Sequence, residues 1–310
     1  MDRIKPHPCT LGHPGLRWVL HMQTVMLACM TTLHLINDNV PDVTVDCLQR
    51  AADARGVKVQ VWHAPSFEYL PSQRAQPGEL LYRPATSMAA IHVEQFMLQD
   101  GVASFYQHPD GALQYVAEPL QVFVRAGLSV PRHFHCHTTD RDLLRQWVDR
   151  LGGLPVVVKF NGFSGGVGVL RADSLASLYS LVDFALSTGR SPLLMSYVDN
   201  AEHWRVVVVG DRAVAAYLNP QDADDFRSHG TDRPQDCTDQ VDTDLAHLAT
   251  QAVHALGLRF GGVDVLRHPS GRLYVLEANF PCFHAHAETV AGVDVSGAML
   301  DYLMAQASST

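Results

Sequence analysis

No run of lysines and arginines occurs anywhere in the 310 residues, and Asp plus Glu outnumber Lys plus Arg by 32 to 23, a formal net charge of −9. A protein that grips a nucleic-acid backbone neutralises its phosphates with a basic face, so duplex binding is not expected. No Cys-x-x-Cys pair is present: Cys9, Cys29, Cys47, Cys136, Cys237 and Cys282 are scattered. Disulfide scaffolds are shorter and denser in cysteine, and free thiols in a reducing cytoplasm are the better reading. Long apolar runs are also missing. The segment 18–36 has no charged side chain but contains His21, Gln23, Thr24, Thr31, Thr32 and His34, whereas a spanning helix needs about 20 predominantly apolar residues. It also lacks the small-residue cleavage pattern of a leader, so no membrane association is expected. Internal repeats and long low-complexity tracts are absent.

What is present is a globular composition, 47% hydrophobic and 18% charged, in a chain that suits two or three packed subdomains. Residues 1–28 read as an extension that the core does not need. The pattern then becomes strand (32–36), helix (about 43–55, closed by Gly56) and alternating strand (57–62), a β–α–β opening that implies a parallel sheet. A strand at 80–83, a helix over about 89–99 and a strand at 103–106 complete a small α/β domain. A helix over roughly 111–126 leads into a second half of α+β pattern. Its valine-rich strands fall at 155–160, 166–171, 193–198, 204–209 and 213–218, with helices at about 140–151, 174–187 and 242–256. A hairpin of strands 260–266 and 272–278 follows.

The hairpin carries the first candidate chemistry. A loop at His268–Gly271 pairs Arg267 with Arg272 and sets Asp264 opposite Val275. Because side chains alternate faces, Asp264, Val275, Glu277 and Asn279 then share one face, and Val263, Val265, Tyr274, Leu276 and Ala278 fill the other. Asp264 and Glu277 are diagonal neighbours in this register, roughly 7–8 Å apart, near enough to share a cation. Two carboxylates and an amide oxygen suit Mg²⁺; a solvated outer face is the alternative. The second candidate is Lys159, at the end of the apolar run Val156-Val157-Val158, followed by a glycine-rich loop from Gly162 to Gly168. A lysine in an apolar strand needs a partner for its charge, and glycine backbone N–H groups can close around phosphate oxygens. No Gly-Lys-Ser/Thr follows, so this is not a Walker loop, and the order of lysine and glycines is not that of a protein kinase. Taken alone, such a loop is only a turn.

Together these motifs resemble the ATP-grasp fold, and within it the RimK-like amino-acid and peptide ligases. The matching segments are Leu154–Lys159 with its glycine loop, Trp204–Asp211, Asp225–Ser228, Gly262–Leu266, Val275–Asn279 and Glu288–Gly297. The resemblance implies a combined α/β and α+β fold: a pre-ATP-grasp α/β domain over 29–110 and an ATP-grasp domain over 111–310, with a lid subdomain at about 127–195 and a C-terminal subdomain at about 196–310. It implies that Lys159 contacts the phosphates of ATP and that Gly162, Ser164, Gly165 and Gly166 close over them. Met195, Ser196, Tyr197 and Val198 would present backbone groups to adenine. Asp264, Glu277 and Asn279 would hold two Mg²⁺ ions, with Mn²⁺ as a substitute. Arg205 and Arg227 would face the transferred phosphoryl group and the acyl phosphate.

The implied reaction is ATP-dependent ligation of a small-molecule or peptide carboxylate to an amine through an acyl phosphate, by a cytoplasmic enzyme that related ligases suggest is a homo-oligomer. A thioester-forming ligase or a kinase is the enzymatic rival. A non-catalytic ATP-binding regulatory module is the other. The chain departs from the family pattern with Ser196 where a hinge glutamate is usual and His203 where an acidic ribose contact is usual, Glu202 being the adjacent substitute.

Two further clusters are considered. His133, His135 and His137 alternate about Cys136 without a fourth zinc ligand, which reads as a solvated strand edge. His284 and His286, just past the metal edge, are read as substrate contacts or shuttles for the amine proton, and Cys282 as a nucleophile only if its pKa were lowered.

Overall fold

The computed structural model describes residues 31–309 except 115, 117, 161–164, 223 and 229; the extension expected over 1–28 lies outside them. Three sheets organise the described chain. The first is parallel, in the order β2-β1-β3, built from β1 (Thr32–Asn37), β2 (Lys58–His63) and β3 (Leu80–Tyr82), with α1 (Asp42–Asp53) and α2 (Met88–Met97) as the intervening and following helices. The expected strand at 103–106 forms only isolated bridges, Leu80 to Ala103 and Tyr106 to Leu258. The helix expected over 111–126 shrinks to α3 (Pro119–Arg125). Pro119 lacks an N–H, so a helix can start there but not run through it unbroken, and the Glu118 side chain caps the new end by accepting from the Leu120 N–H at 3.1 Å.

The second sheet is antiparallel, in the order β4-β7-β5-β6, from β4 (His133–His135), β5 (Val156–Lys159), β6 (Val169–Ala172) and β7 (Leu193–Ser196). Helices α4 (Arg141–Leu151) and α5 (Leu175–Ser187) pack Leu144, Val148, Leu178 and Val182 onto Val156, Val158 and Leu194. The alternation of β5, buried at Val156 and Val158 and half-buried at Val157 and Lys159, turns Lys159 away from that core.

The third sheet has the order β12-β9-β8-β13-β14: β8 (Glu202–Val209), β9 (Arg212–Asn219), β12 (Cys237–Thr238), β13 (Phe260–Arg267) and β14 (Leu273–Asn279), with the short ribbon β10 (Gln221–Asp222) and β11 (Asp225–Ser228) between β9 and β12. One face packs on α6 (Thr243–Ala255) through Val206, Val208, Val263, Val265 and Val275 against Leu245, Ala249, Ala252 and Val253. On the other face, Val207, Val209, Ala215 and Phe260 join the core of the first sheet together with Met299, Leu300 and Leu303 of α8 (Val295–Ala307). The short α7 (Ala285–Ala291) connects β14 to α8. Further along the strands, that second face is left open to a cavity.

Candidate active site

The open part of the third sheet is organised in cross-strand rows. In one, Tyr217 pairs with Arg205, Arg205 with Asp264, and Asp264 with Glu277. In the next, Asn219 pairs with His203 and His203 with Leu266. All of these side chains line one cavity of about 500 Å³, whose other wall is Lys159, Phe160, Gly165, Gly166 and the segment Met195–Val198.

The hairpin register differs from the expected one. Arg267 pairs with Leu273, and a bulge after Asp264 puts Glu277 directly opposite it rather than diagonal. An inserted residue re-aims the side chains beyond it. Val275 therefore lies on the buried core face with Val263 and Val265, not beside the carboxylates, while Leu276 and Glu277 both line the cavity. Asn279 joins the set by donating from Nδ2 to Glu277 Oε1 at 2.9 Å.

Each cavity carboxylate has a cationic partner. Lys159 Nζ donates to Glu277 Oε2 at 2.5 Å, the compensation that an apolar-strand lysine requires. Arg205 clamps Asp264 through Nε at 2.6 Å and Nη2 at 3.0 Å, the bidentate pairing for which its planar fork is suited. Asp264 is only 5% exposed. Burial raises its pKa, but the Arg205 charge and His203 outweigh burial and hold the carboxyl at about 2, below its ordinary 3.8. A depressed folded-state pKa adds stability above the unfolded value that disappears as pH falls through the folded one. Here that is about 2 kcal/mol, present above about pH 4 and lost toward pH 2. The difference in urea-unfolding free energy between the native protein and Asp264→Asn is accordingly expected to be largest above pH 4 and to narrow toward pH 2. A difference independent of pH would contradict this.

Arg227, on β11, closes the cavity from the far side: it chelates Asp225 at 2.7–3.0 Å and donates from Nη1 to the Gly166 carbonyl at 3.3 Å. Gly166 has φ +75°, and a Cβ there would lie 3.4 Å from Arg227 Cδ, so glycine both permits the turn and lets the arginine lie against the loop. Gly162 and Ser164 lie outside the described residues. Glu202 is exposed, does not line the cavity, and accepts from Trp204 Nε1 at 2.9 Å. It falls on the opposite strand face from His203 by alternation, which corrects its place as a ribose contact.

Two cavity atoms are buried without a hydrogen-bond partner, His203 Nε2 and Asn219 Oδ1, on side chains directly opposed across β8 and β9. His203 Nδ1 pairs closely with Ser228 Oγ, and its Nε2 stands 3.2 Å from Asp264 Oδ1 without hydrogen-bond geometry. Asn219 lines the cavity although the family motifs do not point to it. Its signal was available: Ala215, Tyr217 and Asn219 alternate along one face of β9 and become polar where the sheet opens.

The other candidates separate. His284 is fully buried, bonded to Ser296 Oγ at 3.1 Å, and burial lowers its pKa to about 4, so it is a core residue rather than a substrate contact. Burial likewise pushes the Cys282 thiol up to about 12, which removes it as a nucleophile. His286 does line the cavity. His133 and His135 flank Gln121 Nε2, at 3.2 and 3.3 Å. Among the described residues no helix is long and apolar enough to cross a membrane.

A lysine and glycine loop on one sheet, facing a carboxylate row on another across a shared cleft, define an ATP-grasp architecture. Solved structures share it. D-cycloserine synthetase DcsG superposes with TM-score 0.67 at 17% identity, over 89% of this chain and 99% of the other. The ATP-grasp ligase PsnB, solved with minimal precursor, Mg and ADP, superposes with TM-score 0.65 at 18% identity, over 89% and 97%. A family model described as RimK-like ATP-grasp domain matches residues 116–303, more than half of the chain. The chain belongs to the RimK-like ATP-grasp family. Among curated relatives, a probable alpha-L-glutamate ligase of Rhodopirellula baltica is 26% identical over 275 residues, 84% of this chain and 67% of that protein. Another, of Trichodesmium erythraeum, is 30% identical over 190 residues, 59% of this chain. The chain spans 67% and 61% of these two relatives' lengths.

Proposed function

We propose that this protein uses ATP to activate a carboxylate as an acyl phosphate and joins it to the amine of an amino acid or short peptide, releasing ADP and phosphate. The observation that carries the reading is the row Arg205–Asp264–Glu277 facing Lys159 across one cleft. The names of the relatives favour an amino-acid acceptor, and the PsnB structures with precursor make a peptide the alternative substrate.

The residues fit a magnesium nucleotide. Asp264, Glu277 and Asn279 form an all-oxygen donor set, which suits Mg²⁺. Asn219 Oδ1 is a buried polar atom in want of a partner, and a ribose hydroxyl of ATP supplies one beside His203. Leu266 and Leu276 floor the purine, and Met195–Val198 offers it backbone groups. Two Mg²⁺ ions, replaceable by Mn²⁺, neutralise phosphate oxygens when bound and so let a carboxylate approach them. Lys159 and Arg205 complement that charge from opposite sides, and Arg227 aligns the acyl group. The Gly165–Gly166 turn excludes water that otherwise hydrolyses the activated acid.

Amine-dependent ADP release, in a phosphate-release assay with pooled amino acids and peptides, is the expected outcome. ATP binding with no turnover under any acceptor would replace the ligase with a nucleotide-binding regulatory module. A narrower expectation concerns Asn219, which is 8% exposed. Asn219→Leu is expected to raise the KM for ATP about 10-fold with kcat nearly unchanged, since a lost buried hydrogen bond is worth about 1–2 kcal/mol. An unchanged KM would remove Asn219 from the ribose site.

A further inference from the structure

We propose that His286 is the general base of the ligation step, taking the proton of the incoming amine at Nδ1. The inference rests on the acyl-phosphate reading above.

An acceptor amine is largely protonated near neutral pH, its pKa being about 8 for an α-amino group and 10.4 for a lysine side chain. An ammonium has no lone pair with which to attack a carbonyl. A base is therefore needed on the acceptor side of the cavity, away from the carboxylates that face the nucleotide. His286 meets the requirement in three respects. It lines the same cavity as Arg205, Ser228 and Gly230. Its ring lies 5.0 Å from that of Tyr217, which pairs across the strands with Arg205, so it stands at the β9 end of the reactive row, opposite the Lys159 end. Its tautomer is also fixed: Nε2 lies 2.6 Å from the Thr231 carbonyl oxygen, and a carbonyl only accepts, so Nε2 carries the hydrogen. In the neutral ring the lone pair is then on Nδ1, which has no hydrogen-bond partner among the described residues.

The other cavity-side imidazoles lack this combination. His284 is sealed in the core between Tyr82, Phe260 and Ser296. His203 faces Asp264 and Ser228 and belongs to the nucleotide row. His286 reaches its place because the connection 280–284 leads from the strand bearing Glu277 and Asn279 into α7, which is anchored by buried Ala285 and Ala287. Glu288 on the same helix ties it to α8 by accepting from the Ser296 N–H at 2.6 Å.

The step balances. The ammonium gives one proton to His286 Nδ1, and the freed nitrogen lone pair forms the C–N bond at the acyl carbon. The bond from that carbon to the phosphate oxygen breaks, and phosphate leaves with the electron pair. A second N–H proton goes to the departing phosphate, and the third stays on the amide.

The test separates activation from transfer. His286→Gln keeps an N–H donor for Thr231 but is not a base. Native protein and variant are given ATP, Mg²⁺ and a pool of free and N-acetylated amino acids and short peptides as carboxylates, with either L-glutamate or hydroxylamine as nucleophile. Hydroxylamine is largely unprotonated near neutral pH and needs no base. In His286→Gln, amide formation with L-glutamate is expected to fall about 10²–10⁴-fold, while hydroxamate formation stays near the native rate. Free imidazole is expected to restore part of the amide formation in His286→Ala. Native-like amide synthesis in His286→Gln, or equal loss of amide and hydroxamate, would overturn the assignment. Native protein that makes neither product would instead overturn the ligase reading beneath it.

Discussion

Glu277→Ala is expected to lower ADP-forming turnover by about 10³-fold or more while the protein still folds. Glu277 sits directly opposite Asp264, accepts from Lys159 at 2.5 Å and from Asn279 at 2.9 Å, so one side chain joins both walls of the cleft and the amide of the oxygen set. Loss of a preorganised charge contact to a transition state typically costs about 10²–10³ in kcat, and loss of a metal ligand adds to it. The cost to the fold is small. The Glu277 side chain is 37% exposed, and a partly solvated ion pair contributes at most about 1 kcal/mol. Phosphate release and thermal unfolding measured on one preparation check both halves. A folded Glu277→Ala protein with more than a tenth of native turnover would remove Glu277 from the chemistry.

Lys159→Met carries the second large effect, a loss of about 10²–10³-fold in turnover, with ATP binding weakened as well. Lys159 is half-buried at the end of a strand of valines, and methionine matches its stem in length while removing only the charge. Lys159→Arg is not expected to restore activity, because a planar fork does not substitute for a compact ammonium at a point contact. Kinetics with varied ATP separates the outcomes. A change in KM alone would confine Lys159 to nucleotide capture, and an active arginine variant would contradict the point-charge role.

How far the sequence discloses these parts depends on how local their cause is. Strands β5, β8, β9 and β13 and helices α4, α5 and α6 are legible because valine alternation and helical spacing are local patterns, and the RimK-like motifs carry the fold they imply. The hairpin shows the limit. Alternation places Asp264, Glu277 and Asn279 together, yet a single bulge exchanges Val275 for Leu276 on the cavity side, and no residue in the turn announces it. At α3 the information was present in Pro119, which sets the start more strongly than the apolar spacing before it. The two histidines after Asn279 are indistinguishable in sequence. Their different fates come from packing between distant elements, since His284 meets Tyr82 of the first sheet and His286 meets Tyr217 of the third.

A crystal structure of the protein with Mg²⁺ and a non-hydrolysable ATP analogue tests the central claim most directly. The expected result is a triphosphate bridging Lys159 and the β13–β14 row, with metal-to-oxygen distances of about 2.1 Å to Glu277 and Asn279 and the ribose against His203 and Asn219. A nucleotide bound elsewhere, or a triphosphate in the cleft with no metal contact to Asp264, Glu277 or Asn279, would contradict it.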